Sequence, residues 1–472
     1  MNEYKNILII GAGKAGKLLE KDIRKNHPDC KVIGFADDEI EKSNGIKILG
    51  KIAELSKINK IYKIDEIVIA IPSTDGGLVR KILLKNIVNR TPIKIVPRNQ
   101  RIISRSEVKY AEIKNISIDD FLGRPFIDKN IEKLIDFYAG KTVLITGGAG
   151  SIGSEIVRQL VDLKVRKAIV YDSSEYLIFN LDQSLRELGA REKCKLIIGN
   201  ILNKDKLNSI IKKEKPDLIF HAAAYKHVYL MEDNADEAIT NNVIGTKNVI
   251  DAAMQNKVKM FTFISTDKVV NPTSIMGATK KICEYYIRSL GSKATKFNIV
   301  RFGNVINSNG SVLPLFERQI EKYKYVTITH KDMMRFFMSI REAAQLVIES
   351  TAGKFKDAIH ILNMGELIGI YEVAECLIRS KNLIPREDVE MKITGLRQGE
   401  KMKEELFTGM EEINLATTKI KNLFILKNFE KCPYDIYEIF DDLEKITNNH
   451  SESEKKEIKK YLKKIFPSLK LK

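Results

Sequence analysis

Two stretches constrain the fold most: "NILIIGAGKAGKLL" from Asn6 and "KTVLITGGAGSIGSEIVRQL" from Lys141. Each runs from an apolar segment into closely spaced glycines and then into a helical pattern. A short apolar run reads as a buried strand. The glycines allow a tight turn, and the helix start offers free N–H groups. In the first stretch Gly11, Gly13 and Gly16 give G-x-G-x-x-G, and the next strand, "KVIGFADD", ends at Asp37 and Asp38. In the second, Gly147, Gly150 and Gly153 enclose Ser151 and Ile152, and the next strand, "KAIVYD", ends at Asp172. Such turns let backbone amides reach a pyrophosphate, and an acid about twenty residues later can accept ribose hydroxyls. Asp172 would accept both ribose hydroxyls of NAD and repel the extra phosphate of NADP. NAD is therefore the expected cofactor. In the first stretch the same glycines serve either a nucleotide or only a tight turn kept for packing.

The remaining pattern fits two sheets. "EIVIAIPS" and "PIKIVP" read as later strands of the first. The connector "SIDDFLGRPFIDKNIEKLIDFYAGK" breaks regular structure at its Gly-Arg-Pro. In the second sheet "LIIGN" brings Asn200, followed by Ile201, to the adenine side. "DLIFHAAA" supplies the small residues Ala222 and Ala223 where the chain must pass close to a cofactor. "NNVIGTKNVIDAA" places Asn242 at a helix start beneath the site, and "MFTFIST" is the next strand. The expected fold is α/β, with two Rossmann-like doubly wound parallel-sheet domains. The first covers residues 1–120 and a linker covers 121–140. A catalytic domain follows over 141–410, its substrate-binding part mainly after 304, and then a C-terminal extension over 411–472.

Composition narrows the class. The chain has 472 residues, 44% hydrophobic and 30% charged, which is ordinary for a globular protein. No apolar run approaches the ~18 residues of a membrane span. The five cysteines are scattered without Cys-x-x-Cys, which fits reduced thiols in a cytoplasm. The six histidines show no metal-ligand spacing, so no metal is expected. The net charge is +17, but lysines alternate with glutamates and no aromatic-basic strip appears. Nucleic acid is not an expected partner; anionic small molecules suit this charge.

The segments "TGGAGSIGSE", "HAAAYKHVYLME", "STDKVVNPTSIMGATK", "VRFGNVINSNGSVLPLF", "MMRFFMSIREA" and "TGLRQGEKMKEEL" carry a resemblance. From Leu122 to about Phe407 the chain resembles the extended short-chain dehydrogenase/reductases that act as nucleotide-sugar 4,6-dehydratases in polysaccharide and glycan biosynthesis. The resemblance implies an extended short-chain dehydrogenase fold with a small C-terminal substrate-binding subdomain. It implies a UDP-sugar substrate and a homo-oligomer. Larger members usually begin with several membrane helices, and membrane attachment is not carried over to this chain. Tyr229, Asn200 and Gln398 depart from the family pattern, which often has proline, aspartate and proline there.

The family usually presents Tyr-x-x-x-Lys, and here the tyrosine position before Lys280 is Met276. A thioether cannot carry a proton. Met276 resembles a methionine-containing branch that converts UDP-N-acetylglucosamine to a 4-keto-6-deoxy product without inverting carbon 5. Such an enzyme oxidises carbon 4, removes the acidified carbon 5 proton, expels water from carbon 6 and returns the hydride there. The elimination needs an acid and a base. Asp267 can be the acid if burial raises its pKa. Lys268 can be the base if neutral, with Lys280 and the cofactor pushing its pKa down. Otherwise the dipeptide is a surface ion pair. Thr266 or an ordered water is the candidate relay for the carbon 4 hydroxyl proton, and Lys280 would hold the cofactor ribose. Met276 is in part a packing residue. Lys226 and His227 would shape the sugar pocket. The family places diphosphate contacts at Asn304, Arg335 and Arg397, and Glu400 would hold the uridine ribose.

Two rivals remain: a nucleotide-sugar 4-epimerase, which needs a proton-carrying tyrosine, and a non-catalytic NAD-sensing regulator. The C-terminal "SESEKKEIKKYLKKIFPSLKLK" reads as a capped amphipathic helix, Ser451 with Glu454 forming the cap. Its apolar face of Ile458, Tyr461, Leu462, Ile465 and Phe466 would dock on its own domain or a neighbouring subunit, or attach reversibly to an anionic membrane at its inner face. One test comes from the glycine motif. The purified protein should carry NAD, and Asp172→Ala should lose it; NADP in the denatured supernatant of the wild type would overturn the assignment.

Overall fold

The computed structural model describes residues 4–40, 47–85, 90–97, 107–124, 131–291, 294–355, 357–427, 431–447 and 452–470. It divides into two units, each built on its own parallel sheet. The first comprises Met1–Phe126, Val312–Asp332 and Ile368–Thr394; the second comprises Ile127–Ser311, Met333–Leu367 and Gly395–Lys472.

In the first unit the strands are β1 (Lys5–Ile10), β2 (Cys30–Ala36), β3 (Ile48–Gly50), β4 (Glu66–Ile69), β5 (Ile93–Ile95) and β6 (Lys114–Asn115). They lie in the order β3-β2-β1-β4-β5-β6, parallel except at β6. The chain leaves β1 and β4 in opposite directions along the sheet, so the glycine turn after β1 lies at a switch point. There the Asp37 carboxylate accepts N–H groups from Ala12 at 2.7 Å and from Glu39 and Ile40 at 2.9 Å. Burial would raise this carboxyl, yet the three N–H groups hold it below its ordinary value. Two stretches from beyond residue 304 fold with this unit. Tyr325–Ile328 and Glu390–Ile393 form a parallel ladder. Arg80 reaches the Glu372 carboxylate at 3.1 Å and the Phe121 carbonyl at 2.8 Å.

In the second unit the strands are β7 (Thr142–Thr146), β8 (Lys167–Asp172), β9 (Cys194–Ile198), β10 (Leu218–His221), β11 (Met260–Ile264) and β12 (Lys296–Arg301). They run parallel in the order β9-β8-β7-β10-β11-β12, with Ala358–Leu362 parallel beyond β12. Leu423–Leu426 and Leu415–Thr417 then close that edge antiparallel, giving nine strands. The central strands are apolar on both faces because both faces are covered. Leu144, Ile169 and Ile219 enter one core, while Val143, Ile145, Ala168 and Val170 enter the other. The architecture is the two-sheet, doubly wound α/β fold expected from the sequence. The switch point between β7 and β10 gathers three sequence motifs at one edge: the glycine turn after β7, the small residues after β10 and "STDK" after β11.

The C-terminal helix, Glu452–Ile465, spends its apolar face inside this unit. Ile458, Leu462, Ile465, Phe466 and Leu469 are buried in the core that also holds Met276. Beyond the helix Ser468 Oγ donates to the Pro272 carbonyl at 2.7 Å, and the Lys470 N–H to Thr273 O at 3.2 Å. Of the alternatives for this face, the structure supports docking on its own domain, and the face is not free for a membrane. Ser451, the expected cap, lies outside the described residues. No described helix is long and apolar enough to cross a membrane. Leu462→Ala should therefore cost about 2–5 kcal/mol in denaturant unfolding, and an unchanged unfolding midpoint would show that the helix does not dock.

Candidate active site

Strand β11 ends in a buried ion cluster. Thr266 caps a single 3-10 turn, Asp267–Val269, and its hydroxyl donates to Asp267 Oδ1 at 2.9 Å. Asp267 is 1% exposed. Lys268 Nζ lies 3.0 Å from Asp267 Oδ1, 3.2 Å from Asn304 Oδ1 and 3.5 Å from Glu404 Oε1. Arg335 closes the group from its far side. Its guanidinium is 3.6 Å from Glu404 Oε1 and donates to the carbonyls of Met334 and Met402. Thr266, Asp267, Lys268, Asn304 and Arg335 thus come together, although they were expected to serve different parts of a substrate.

Both members of the acid-lysine pair are shifted upward. Burial pushes the Asp267 carboxyl up, opposed by Lys268 and reinforced by Glu404. Lys268 behaves opposite to expectation. Burial alone would lower it, but Asp267 and Glu404 beside it raise it, so it rests as an ammonium. Its close neighbours are carboxylates, and a base role requires that its proton first depart. Glu404 is the residue missed by sequence reasoning. It sits inside the quoted "TGLRQGEKMKEEL", but nothing in that stretch distinguishes it from Glu405.

The helix Ile275–Ser289 carries Met276 and Lys280. A Cβ on Gly277 would fall 2.4 Å from the Lys268 carbonyl, so only glycine lets this helix start so near the cluster. Met276 is 4% exposed and packs in the core. Lys280 is buried with its Nζ 4.1 Å from the centre of the Phe263 ring. It makes no hydrogen bond among the described residues, and burial pushes its amine down to about 8. Asn242, wholly buried, holds the same helix to the strap after β10. Its amide exchanges bonds with Tyr225 N and O at 2.8 and 3.0 Å and donates to Thr279 Oγ1 at 3.2 Å.

The glycine turn has the form a dinucleotide needs. Gly147 has φ +64°, and a Cβ there would come 2.5 Å from Ala223 N, so the turn lies against Ala222 and Ala223. A Cβ on Gly150 would meet only Gly147 O, at 3.3 Å, which leaves the space above the helix start open. Ser151 Oγ accepts the Asn309 N–H at 3.0 Å, and Ile152 is partly buried. Asp172 accepts Ala149 N–H and Ser174 N–H, each at 3.0 Å and on different oxygens. Each oxygen keeps a lone pair for a ribose hydroxyl. Ile201 is buried beneath the turn, and the exposed Asn200 accepts the Leu202 N–H at 2.9 Å. The residues present fit an NAD-type dinucleotide.

Other expected residues form a second group. Arg397 is exposed and stacks on the Tyr229 ring at 4.7 Å. Glu400 turns back onto the Arg397 N–H at 3.2 Å. Gln398 donates to Glu232 at 3.2 Å, and Glu232 accepts the Ile275 N–H at 2.8 Å. Lys226 is exposed. The His227 ring lies against Gly310, where an added Cβ would come 2.5 Å from it.

Residues 143–428 match the family model described as polysaccharide biosynthesis protein. The chain belongs to that family. Residues 1–97 match a model described as CoA-binding domain. Capsular polysaccharide biosynthesis protein CapD of Staphylococcus aureus is 36% identical over 420 residues, covering 87% of this chain and 69% of CapD. A Campylobacter jejuni protein named UDP-N-acetylglucosamine 4,6-dehydratase (inverting) is 33% identical over 57% of this chain and 77% of its own. A UDP-glucose 4-epimerase of Rickettsia canadensis is 34% identical over 57% and 78%. The solved structure of Pen from Bacillus thuringiensis has a TM-score of 0.57 at 37% identity, covering 61% of this chain and 90% of that one. The family therefore unites nucleotide-sugar dehydratases and epimerases on one short-chain dehydrogenase fold.

Lys280 offers a test of the site's electrostatics. A free lysine holds its proton to about 10.5, whereas buried Lys280 holds it only to about 8. The folded state is penalised in full below about 8, and the penalty disappears as pH rises from 8 to 10.5. Lys280→Met should raise the thermal midpoint at pH 7, and the gain should vanish toward pH 10.5. Turnover should be lost. A midpoint unchanged at pH 7 would mean that the amine is not desolvated.

Proposed function

We propose that the chain is a UDP-N-acetylglucosamine 4,6-dehydratase that uses NAD and serves surface polysaccharide or glycan biosynthesis. The observation that carries this reading is the buried Asp267–Lys268 pair beside a helix whose proton-carrying position holds Met276. An epimerase, which needs that proton carrier, has no use for a buried acid at this edge. Relatives named as a dehydratase and as an epimerase are equally similar to the chain, so the choice rests on these residues.

The roles follow from position. The glycine turn and Asp172 hold the cofactor's pyrophosphate and adenosine ribose, and Lys280 its second ribose. A bound NAD would supply the hydride acceptor that the carbon 4 oxidation needs and the hydride that carbon 6 receives. Thr266, or an ordered water beside it, relays the proton of the carbon 4 hydroxyl toward the cofactor ribose that Lys280 would hold. Lys268 gives its own proton to solvent water and, as a neutral amine, takes the proton from carbon 5. Asp267, neutral, gives its proton to oxygen 6 as water departs. Arg397 binds the diphosphate, Glu400 the uridine ribose, and Lys226 and His227 border the sugar, while Arg335 is held in the ion cluster by Glu404. Met276 goes with retention at carbon 5, in contrast to the relative named as inverting.

Incubation with UDP-N-acetylglucosamine should give a product one water lighter by mass spectrometry. An unchanged or merely isomerised sugar would sink the reading. In deuterated water the label should appear at carbon 5, and proton NMR should report its configuration. Lys268→Ala should retain NAD and lose about 10²–10⁴ in rate. Near wild-type turnover of that variant would remove Lys268 from the base role.

A further inference from the structure

Two buried carboxylates face one ammonium at the end of β11. Asp267 and Glu404 are 1% and 5% exposed, and Lys268 Nζ lies 3.0 Å from the first and 3.5 Å from the second. Each carboxylate also has one oxygen, Asp267 Oδ2 and Glu404 Oε2, that is buried without a hydrogen-bond partner among the described residues. Position 303 is packed against the first of these. A Cβ on Gly303 would come 2.8 Å from Asp267 Oδ2, so only glycine lets the chain pass this close to that oxygen, and the neighbouring backbone gives it no partner.

A buried ionised oxygen without a partner is costly, and two beside each other are worse. The cluster relieves this if one carboxyl holds a proton. The surrounding charges decide which. Glu404 faces Lys268 and Arg335 directly, and the Lys401 charge acts on it from farther away. Asp267 has only Lys268, which it shares, and it feels the negative charge of Glu404. Three cations favour the ionised form of Glu404, and a like charge disfavours the ionised form of Asp267.

We propose that Glu404 is a positioning residue of the reaction centre, an ionised carboxylate that holds Lys268 and Arg335 and thereby assigns the shared proton to Asp267. The inference rests on the dehydratase reading, in which Asp267 is the acid that meets oxygen 6. It gives that acid a cause, because Asp267 stays protonated at working pH through the fixed negative charge of Glu404. It also explains why Arg335 belongs to the cluster. Without that guanidinium Glu404 would compete with Asp267 for the proton.

The test is a titration. Infrared spectra of the purified protein at neutral pH, without sugar, should show a protonated carboxyl band that Asp267→Asn removes. In Glu404→Gln the band should titrate away about one pH unit or more lower, because a like charge a few ångströms away has been removed. Glu404→Asp, which keeps the charge, should leave the titration near the wild-type position. In turnover, an acid works only while protonated, so the alkaline limb of the kcat profile should move to lower pH in Glu404→Gln by the same interval. A merely structural glutamate would lower kcat without moving that limb. The proposal is overturned if Asp267→Asn leaves the band in place, a result that does not depend on Glu404→Gln folding. It is overturned equally if Glu404→Gln titrates as wild type does. The infrared measurement needs no substrate, so a wrong sugar assignment leaves its outcome intact and shows only in the product analysis.

Discussion

The reaction centre depends on a guanidinium that has no route to water. Arg301, at the end of β12, has 1% of its side chain exposed. Its Nε and Nη2 donate to the two oxygens of Glu284 at 2.8 and 2.6 Å, and Nη1 donates to Glu411 at 2.8 Å. Burial would raise the Glu284 carboxyl, but Arg301 holds it below its ordinary value. Ser265 Oγ donates to the same carboxylate at 2.7 Å. One buried charge thereby joins β12, the helix that carries Met276 and Lys280, the segment around Glu411 and the residue before Thr266. Such a network is a poor source of net stability, since apolar replacements of similar volume often do as well. Removing one partner costs about 3–5 kcal/mol, because it leaves the other charge stranded. What the network supplies is position: Ser265, just after β11 and next to the ion cluster, is tied to the carboxylate that pairs the buried arginine.

The two charge clusters differ in how completely they are satisfied. Around Arg301, Glu284 engages with both oxygens, and the Glu411 carboxylate also caps its own short helix from Thr408. Around Lys268, an oxygen of Asp267 and one of Glu404 are buried and idle. Most buried polar atoms in native interiors are satisfied, and a catalytic role is one reason for an exception. The satisfied network reads as scaffold, and the unsatisfied one is the part of this edge with hydrogen-bonding capacity to spare.

Much of this was legible along the chain. Glycine spacing, apolar strands and the terminal aspartates identify both sheets, because these features act over a few residues. "STDK" was legible as an acid and a lysine after a buried strand. The charge state of Lys268 was not. Its carboxylate neighbour Glu404 arrives from far along the chain, and only the fold sets that contact against the pull of burial. Glu404 itself reads as half of a solvated pair. Folding buries it and leaves the Glu405 side chain 49% exposed beside Lys401. The family departures at Tyr229 and Gln398 look unrelated in sequence. In space they meet one loop, since Tyr229 lies under Arg397 and Gln398 binds Glu232, which holds the start of the Met276 helix. The amphipathic period of the last helix was plain, but a period cannot say which surface will cover it.

Met276 is best understood by what it takes away. A tyrosine there would bring a titratable hydroxyl to the second position of a helix that starts against the Lys268 carbonyl. Lys280, one turn later on the same helix, would then have a phenolate to stabilise. The thioether removes that anion and fills the space as core. Lys280 is left desolvated without a negative partner in hydrogen-bond reach, and its amine falls to about 8. Its charge is thus left for a neutral hydroxyl pair such as a ribose, and on the proposed reading the proton transfers fall to Thr266, Asp267 and Lys268 just beyond β11. On the proposed dehydratase reading, the methionine moves the acid-base chemistry by one element, from the helix to the strand end, where Asp267 and Glu404 are buried beside Lys268.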